Sequence, residues 1–331
     1  MNLYFLILII INIIIFINYK KISKIYNIYD IPDQLRKKHK KPTPLLGGPL
    51  ILINLFFYCF FEYFETSNMT YFNNKLDILI FLLCSSLFFI VGFIDDKQNL
   101  KPNLKLLLYI IIILLLSILD NDLVIKNINF TFTDYIFHFY NFSYIFTILC
   151  FLLFINSFNM LDGINGQAGC YTIFISLLMI FLNINNIFFV GLIILMLIFL
   201  YFNFKEKMFL GDSGSILLSF LISYFFIKSY NQGASIYSDE IFLIMMIPGL
   251  ELLRLALQRL YEKKHPFSPD SNHIHHLVLN KTSFFNSFMC IQILLIFPFI
   301  FYLLISNSFI SFILSLIVYI YLIFKLSNNG N

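Results

Sequence analysis

Long apolar segments, almost free of charged residues, make up most of the chain and alternate with short polar connections. The segments are about 16 to 20 residues long, and about 20 helical residues are needed to cross the hydrocarbon core of a bilayer. Runs such as 110–116 show no alternation of polar and apolar residues, so they do not fit the strands of a membrane barrel. The pattern therefore predicts an all-α, polytopic integral membrane protein.

We predict about eleven transmembrane helices in a single domain that covers residues 1–331. Their approximate ranges are 3–18, 45–63, 76–94, 104–119, 142–157, 167–183, 186–202, 213–228, 241–260, 285–304 and 308–324. The segment 120–141 is aromatic and polar, and it is predicted to lie on the outer surface as a strand or an interfacial helix.

The basic residues are distributed very unevenly between the two sides of this arrangement. Of the 22 Lys and Arg residues, all but Lys75, Lys126 and Lys228 fall on one side. The positive-inside rule assigns that side to the cytoplasm and therefore places the N-terminus outside. No basic residue precedes the first apolar segment and no small-residue cleavage site follows it, so it is predicted to be a retained span.

The amino-acid composition and the net charge limit which binding partners we expect. The chain is 60% hydrophobic and 12% charged, whereas soluble domains carry about 25% charged residues. The net charge of +4 is small and gives no reason to expect a nucleic-acid partner. The five cysteines form no CxxC pair, and we interpret them as small apolar side chains. The lipid bilayer is the expected environment.

Acidic and histidine clusters occur at four separate places, and all four fall on the predicted cytoplasmic side. The first is Asp95-Asp96, at the end of the third span. Adjacent carboxylates at a low-dielectric boundary repel each other, which raises the pKa of one toward the range of a general base. They could equally share a cation, or simply mark the water interface. Ionisable groups at such a boundary are usually functional.

Two further clusters combine carboxylates with glycine-rich backbone. Asn159 and Asp162 are three residues apart and share one face of a helical turn, and the glycines that follow allow backbone amides to approach a phosphate. Asp212 opens the eighth span, where the helix dipole favours anions and where a carboxylate could help to hold Mg²⁺ beside substrate phosphates. A simple Asx–Gly loop and an ordinary helix cap are the alternatives.

The fourth cluster, in the last cytoplasmic loop, contains Asp270, His273, His275 and His276. Its spacing is not HExxH and no cysteine accompanies it, so zinc is disfavoured. The histidines could instead donate hydrogen bonds to a polyphosphate. The basic first loop, which includes Lys40, could attract an anionic substrate or anionic lipid headgroups, although topology alone explains most of its lysines.

Taken in order, these segments resemble the polytopic polyprenyl-phosphate N-acetylhexosamine-1-phosphate transferases of glycosyltransferase family 4. The resemblance covers roughly residues 30–285, and the run PFSPDSNHIHHL is most similar to the undecaprenyl-phosphate GlcNAc-1-phosphate branch, which is related to the phospho-MurNAc-pentapeptide translocases. It implies transfer of a sugar-1-phosphate from a UDP-N-acetylhexosamine to undecaprenyl phosphate, with release of UMP. This reaction would initiate a lipid-linked cell-envelope glycan, such as an O-antigen or common antigen, at the cytoplasmic face of a bacterial inner membrane.

The resemblance also implies roles for individual residues. Asp212 and Asp162 would hold Mg²⁺, for which Mn²⁺ could substitute. Asp95, or the pair with Asp96, would bind or deprotonate the lipid phosphate, and Asn159 would shape the diphosphate site with Asp162. The residues implied in substrate binding are Lys40 and Asn165 near the nucleotide, Phe209 stacking on uracil, and Asp270, His273, His275 and His276 around phosphate.

Four positions depart from the family pattern, and several alternatives stay open. Asn165 replaces a second acid, Gln167 replaces a leucine, Ser271 replaces an arginine, and Glu251 replaces an aspartate. The donor could be UDP-MurNAc-pentapeptide or a deoxy-N-acetylhexosamine, and a homodimer is one possible assembly. A non-catalytic scaffold or a transporter of the same architecture is the alternative from another class, although a transporter usually carries polar groups near the bilayer midplane.

Overall fold

The computed structural model describes residues 2–32, 41–64, 71–233, 236–266 and 272–328, and it is mainly helical. The helices, in chain order, are α1 (Asn2–Ile17), α2 (Tyr19–Tyr26), α3 (Gly47–Phe64), α4 (Lys75–Gln98), α5 (Pro102–Leu119), α6 (Ser143–Leu161), α7 (Gln167–Phe181), α8 (Asn186–Asn203), α9 (Gly211–Asn231), α10 (Ser238–Tyr261), α11 (Ile274–Leu279), α12 (Phe284–Ile305) and α13 (Ser308–Asn328). The strands are β1 (Tyr29–Asp30), β2 (Thr43–Pro44), β3 (Asn127–Phe130) and β4 (Thr133–His138).

Each of the eleven predicted spans corresponds to a long helix, with ends that agree within about four residues. Among the described residues, eight helices are long and apolar enough to cross a membrane, or nine if the bent pair α1–α2 is counted as one span. Two helices at predicted spans fall outside this set. α7 has only 15 residues, and α10 carries charged side chains along its length. The chain is therefore a multi-pass membrane protein, whereas the span number and the orientation stay predictions.

Helix α9 forms the centre of the bundle. Every residue from Ser213 to Ser229 is buried, and the helix packs mainly against α4, α6 and α3. Its serines allow neighbouring backbones to approach closely. Two of their hydroxyls are satisfied within the helix itself, since Ser219 donates to the Ile216 carbonyl at 2.8 Å and Ser223 donates to the Ser219 carbonyl at 2.9 Å. Asp212 and Lys228 lie near opposite ends of α9, about 24 Å apart along the axis.

Stacked aromatic rings fix α4 against α9. Phe88 and Phe220 stack with ring centroids 4.4 Å apart, and Phe81 meets Tyr224 at the same distance. Such pairs add about 0.5–1.5 kcal/mol each beyond the burial of their area. This packing holds the end of α4, which carries Asp95 and Asp96, beside the start of α9.

The uncertain segment 120–141 forms a hairpin, which confirms the strand alternative over the interfacial helix. β3 pairs antiparallel with β4, with Asn127 opposite His138 and Ile128 opposite Phe137. The hairpin is attached to the start of α10, because the Thr131 amide and hydroxyl both donate to Asp239. Within the described residues, this hairpin and the short β1–β2 pair are the only sheets in an otherwise helical fold.

Candidate active site at one end of the bundle

Asp96 joins the end of α4 to the start of α9. Its Oδ1 accepts the amide of Asp212 at 2.8 Å, and its Oδ2 accepts the amide of Ser213 at 3.0 Å. A carboxylate at this place satisfies two of the open amides of the helix and interacts favourably with its dipole. Gly211 has φ +73°, and a Cβ there would lie 2.8 Å from the Asp96 carboxylate, so the approach requires glycine. Asp96 thereby fixes the position of Asp212.

Asp95 faces a different element from its neighbour. Its carboxylate accepts the Leu100 amide at 2.8 Å and lies 2.5 Å from the ammonium of Lys105 on α5. The same ammonium is 3.6 Å from Oδ1 of Asp212. Lys105 therefore bridges Asp95 and Asp212. The sequence analysis counted Lys105 only as a topology charge. Its position one turn inside an otherwise apolar helix was the signal that could have revealed it.

Asn159 and Asp162 reach the same end of the bundle from α6. The Asn159 side-chain oxygen accepts the hydroxyl of Ser215, in the first turns of α9. Asp162 directly follows α6 and is half-buried. Burial first, and then the negative charges of Asp212 and Asp96, together raise the pKa of the Asp162 carboxyl to about 7. Three carboxylates from three helices therefore lie close enough to influence one another.

The histidine segment packs onto the turn that follows Asp162. His275 is buried, and a Cβ on Gly163 would overlap its imidazole ring, so the two segments are in direct contact. The rings of His275 and His276 have centroids 4.3 Å apart, and those of His273 and His275 are 5.2 Å apart. Burial, together with the neighbouring His276 and His273, lowers the pKa of His275 well below its usual value. His275 is therefore neutral at physiological pH and able to donate one hydrogen bond.

Two of the remaining predicted residues, Phe209 and Asn165, lie three residues along the chain from Asp212 and Asp162. Phe209 is half-buried, and its amide donates to the Pro44 carbonyl at 3.0 Å, which places it beside the start of α3. Asn165 belongs to a turn in which the Gly166 amide donates to Asn203 at 2.6 Å. Lys40 and Asp270 lie outside the described residues, so their predicted roles stay predictions.

The charge balance of the centre suits a cation. Among the described residues, its carboxylates are those of Asp95, Asp96, Asp162 and Asp212, and its ammonium is that of Lys105. In the described ranges, no three His, Cys, Asp or Glu side chains are close enough to enclose a metal ion by themselves. Magnesium typically binds through one or two carboxylates plus substrate phosphates and water, so Asp162 and Asp212 fit that arrangement.

Comparisons with known proteins identify one family model and several relatives to which the chain is similar. Residues 78–230 match the family model of glycosyl transferase family 4. The chain is 25% identical over 258 residues to an undecaprenyl-phosphate alpha-N-acetylglucosaminyl 1-phosphate transferase of Escherichia coli O157:H7, covering 74% of this chain and 67% of the relative. It is 27% identical over 257 residues to the protein of the same name from Salmonella typhi, with the same two coverages. A phospho-N-acetylmuramoyl-pentapeptide-transferase of Petrotoga mobilis is 31% identical over 225 residues, covering 62% of this chain and 65% of that protein.

The fold and the site define a class, namely multi-pass helical membrane proteins with a carboxylate-rich centre at one end of the bundle. Within that class, the matched segment and the named relatives show that the chain is similar to glycosyl transferase family 4. The matched segment runs from α4 to the end of α9 and contains all four carboxylates of the centre and Lys105. The histidine helix α11 and the last helix, α13, lie beyond it.

Proposed function

We propose that this protein transfers an N-acetylhexosamine-1-phosphate, with GlcNAc-1-phosphate as the first candidate, from a UDP-sugar to undecaprenyl phosphate and releases UMP. One observation carries the proposal. Carboxylates from α4, α6 and α9, the ammonium of Lys105 and a histidine helix converge at one end of a membrane bundle whose residues 78–230 match the model of glycosyl transferase family 4. The names of the relatives support the same reaction class.

The reaction brings two anions together, so electrostatic positioning is the main requirement. An oxygen of the lipid phosphate forms a bond to the phosphorus that carries the sugar. The bond from that phosphorus to the UMP oxygen breaks, and UMP leaves with the electron pair. Lys105 offsets part of the negative charge, because its ammonium lies between Asp95 and Asp212. Asp95 is the carboxylate we assign to accept a proton from the lipid phosphate.

Asp162 and Asp212 are the residues we assign to Mg²⁺. The ion would offset the charge of the diphosphate and of the departing UMP. Asp96 has both oxygens engaged by the amides of α9, so its part is to hold Asp212 in place. The neutral imidazole of His275 can donate a hydrogen bond to a phosphate oxygen without a proton having to be gained first.

We assign this site to the cytoplasmic side of a bacterial inner membrane. UDP-sugars are soluble anions, whereas the polyprenyl tail stays in the bilayer, so a site at the end of the helices meets both needs. The uneven distribution of basic residues supports the same orientation, since the connections at this end carry most of the Lys and Arg residues.

The test is UMP release by the purified full chain in detergent with undecaprenyl phosphate, Mg²⁺ and a panel of donors. The panel contains UDP-GlcNAc, UDP-MurNAc-pentapeptide and two UDP-linked deoxy-N-acetylhexosamines. We expect UMP release with UDP-GlcNAc and its loss on adding EDTA. Release with another donor alone would replace the proposed sugar. No release with any donor, from protein that unfolds cooperatively on heating, would contradict the proposed activity.

A further inference from the structure

Helix α10 carries a buried carboxylate, Glu251, whose oxygens are fully engaged. Oε1 accepts Nη2 of Arg254 at 2.7 Å and the amide of Ile274 at 2.7 Å. Oε2 accepts Nε of Arg254 at 3.0 Å and the hydroxyl of Tyr319 at 2.6 Å. Only 7% of Glu251 is exposed. A carboxylate that accepts a bidentate pair of hydrogen bonds from arginine and two further hydrogen bonds has a well-defined orientation.

These contacts join three elements that are far apart in sequence. Glu251 and Arg254 lie on α10, Tyr319 lies on α13, and Ile274 is the first residue of the histidine helix α11. Arg254 adds a second link to the histidine segment, because its Nη2 also donates to the Asn272 carbonyl at 2.7 Å. The histidine segment is therefore held by its backbone on both sides of His273. Neither α10, α11 nor α13 belongs to the segment that matches the family model.

The attachment extends into the candidate active site. His275 follows the held Ile274 directly, and its ring lies against Gly163, the residue after Asp162. A shift of the start of α11 therefore moves His275 relative to Asp162. The short helix has six residues and few internal hydrogen bonds of its own, so its position depends on these outside contacts.

We propose that Glu251, held by Arg254 and Tyr319, is a positioning residue that sets His275 against the Asp162–Gly163 turn, so that α13 forms part of the scaffold of the active site. The effect on turnover rests on the proposed function, whereas the effect on the position of His275 does not.

The length of the Glu251 side chain is important, because one of its oxygens must reach Ile274 while the other reaches Tyr319. Aspartate is one methylene shorter and cannot keep both contacts with α10 unmoved.

Tyr319→Phe is the central variant, because it removes one hydroxyl and leaves the ring packing in place. Tyr302→Phe is its matched control. Tyr302 donates to Glu240 at 2.7 Å, so it makes the same kind of bond between a tyrosine and an α10 carboxylate, but near the other end of α10. Glu251→Gln and Glu251→Asp complete the set. Three measurements are made on each purified full-length variant: thermal unfolding, the rate at which diethylpyrocarbonate labels His275, and kcat with KM for each substrate.

We expect His275, which is 4% exposed in the native protein, to be labelled faster in Tyr319→Phe and in both Glu251 variants, but at the native rate in Tyr302→Phe. We expect kcat/KM for the UDP-sugar to fall about tenfold in Tyr319→Phe and about 100-fold in Glu251→Gln, the scale seen when a reacting group is displaced by about 1 Å. The KM for undecaprenyl phosphate should stay unchanged.

Two results would overturn the proposal. One is native labelling of His275 in all three site variants. The other is an equal effect of Tyr319→Phe and Tyr302→Phe on labelling, which would reduce the contact to general bundle stability. The labelling result is read without any turnover. An inactive native protein in which Tyr319→Phe still exposes His275 would therefore contradict the proposed function and support the positioning role.

Discussion

The two ends of α9 both carry buried ionisable groups, but they are arranged in opposite ways. At the C-terminal end, called the far end below, the ammonium of Lys228 is fully buried. It lies 2.8 Å from Asp120, 3.8 Å from Asp77 and 3.3 Å from the Tyr224 hydroxyl. Both carboxylates also accept backbone amides, from Asp122 and Asn73. At the near end, where α9 begins, the ammonium of Lys105 pairs with Asp95 and Asp212, while the carboxylates of Asp96 and Asp162 lie close by. The Asp212 side chain there is 38% exposed.

This difference separates a structural network from a candidate catalytic one. In a buried network where every charged group has a partner, removing one member destabilises the fold, because it leaves an uncompensated buried charge. A cluster with an excess of one charge and an opening to solvent suits a ligand of the opposite charge. Buried charge alone therefore does not identify an active site in a membrane bundle. The size of the excess of negative charge and the access to solvent distinguish the two ends.

The largest expected effect is at the far end. Lys228→Met should destabilise the protein by about 3–5 kcal/mol, the range for breaking a buried ion pair on one side. The cause is that Asp120 and Asp77 would lose their cation. Thermal unfolding in detergent measures it, with the exposed Lys126→Met as the control. The double variant Lys228→Met/Asp120→Asn should regain part of the loss, and a fully native stability of Lys228→Met alone would remove the distinction between the two ends.

Substitutions at the near end should lower enzymatic activity and leave the stability of the protein almost unchanged. Asp212→Asn should lower kcat for UMP release by about 10²–10³-fold, the scale for removing one group that stabilises transition-state charge. Its thermal midpoint should change little, since the side chain is partly exposed. The exposed Asp134→Asn, on the hairpin, is the matched control. Substantial turnover by Asp212→Asn would exclude the assigned role of this carboxylate.

A smaller effect should appear as a pH dependence of stability. The folded pKa of Asp162, about 7, lies above the unfolded value of about 3.9. Its contribution to stability is therefore fully present below that unfolded value and is lost as the pH rises through 7. Without divalent cation, the thermal midpoint should fall between about pH 5 and about pH 8 more steeply in the native protein than in Asp162→Asn. Mg²⁺ should recover the loss at the higher pH only in the native protein, and equal slopes for the two proteins would contradict the assignment.

The smallest effect compares one substitution at both ends. Tyr109 is fully buried one turn beyond Lys105, and its hydroxyl has no hydrogen-bond partner within the described part of the chain. Tyr109→Phe should leave stability unchanged or slightly higher, whereas Tyr224→Phe should cost about 1 kcal/mol because a bond to the buried Lys228 is lost. Thermal midpoints measure both. A clear loss in Tyr109→Phe would mean that the near end contains a satisfied network after all.

Much of this architecture could be predicted from the sequence, because long apolar runs form helices whatever their neighbours are. Span counting also predicted that Asp95, Asp162, Asp212 and His275 lie on one side. The pairings could not be predicted in this way. Asp96 binds amides 116 and 117 residues away, and no local spacing encodes such a contact. The two adjacent aspartates were treated as one pair, but the structure directs them to different helices.

The same limit applies to the contacts that hold the histidines. Glu251 drew attention only as a departure from the resemblance, whereas its partners lie on α10, α11 and α13. Their meeting depends on how helices pack, which periodicity does not specify. The hairpin was predicted only as one of two options, because aromatic and polar residues suit an interfacial helix as well as a strand.

The enclosure of α9 also constrains how the protein is synthesised. α9 has the lowest mean hydropathy of the eight candidate spans, 1.2, and carries Lys228. A lysine opposes insertion into lipid by about 2.5–3.5 kcal/mol at the centre of a span, and by less near a span end, where Lys228 lies. The helices that surround α9 most closely, α3, α4 and α6, and the carboxylates of Asp77 and Asp120 all precede it in the chain. When α9 leaves the ribosome, its protein neighbours and the counter-charges for its lysine are therefore already made, so α9 can enter a pre-assembled groove instead of bare lipid.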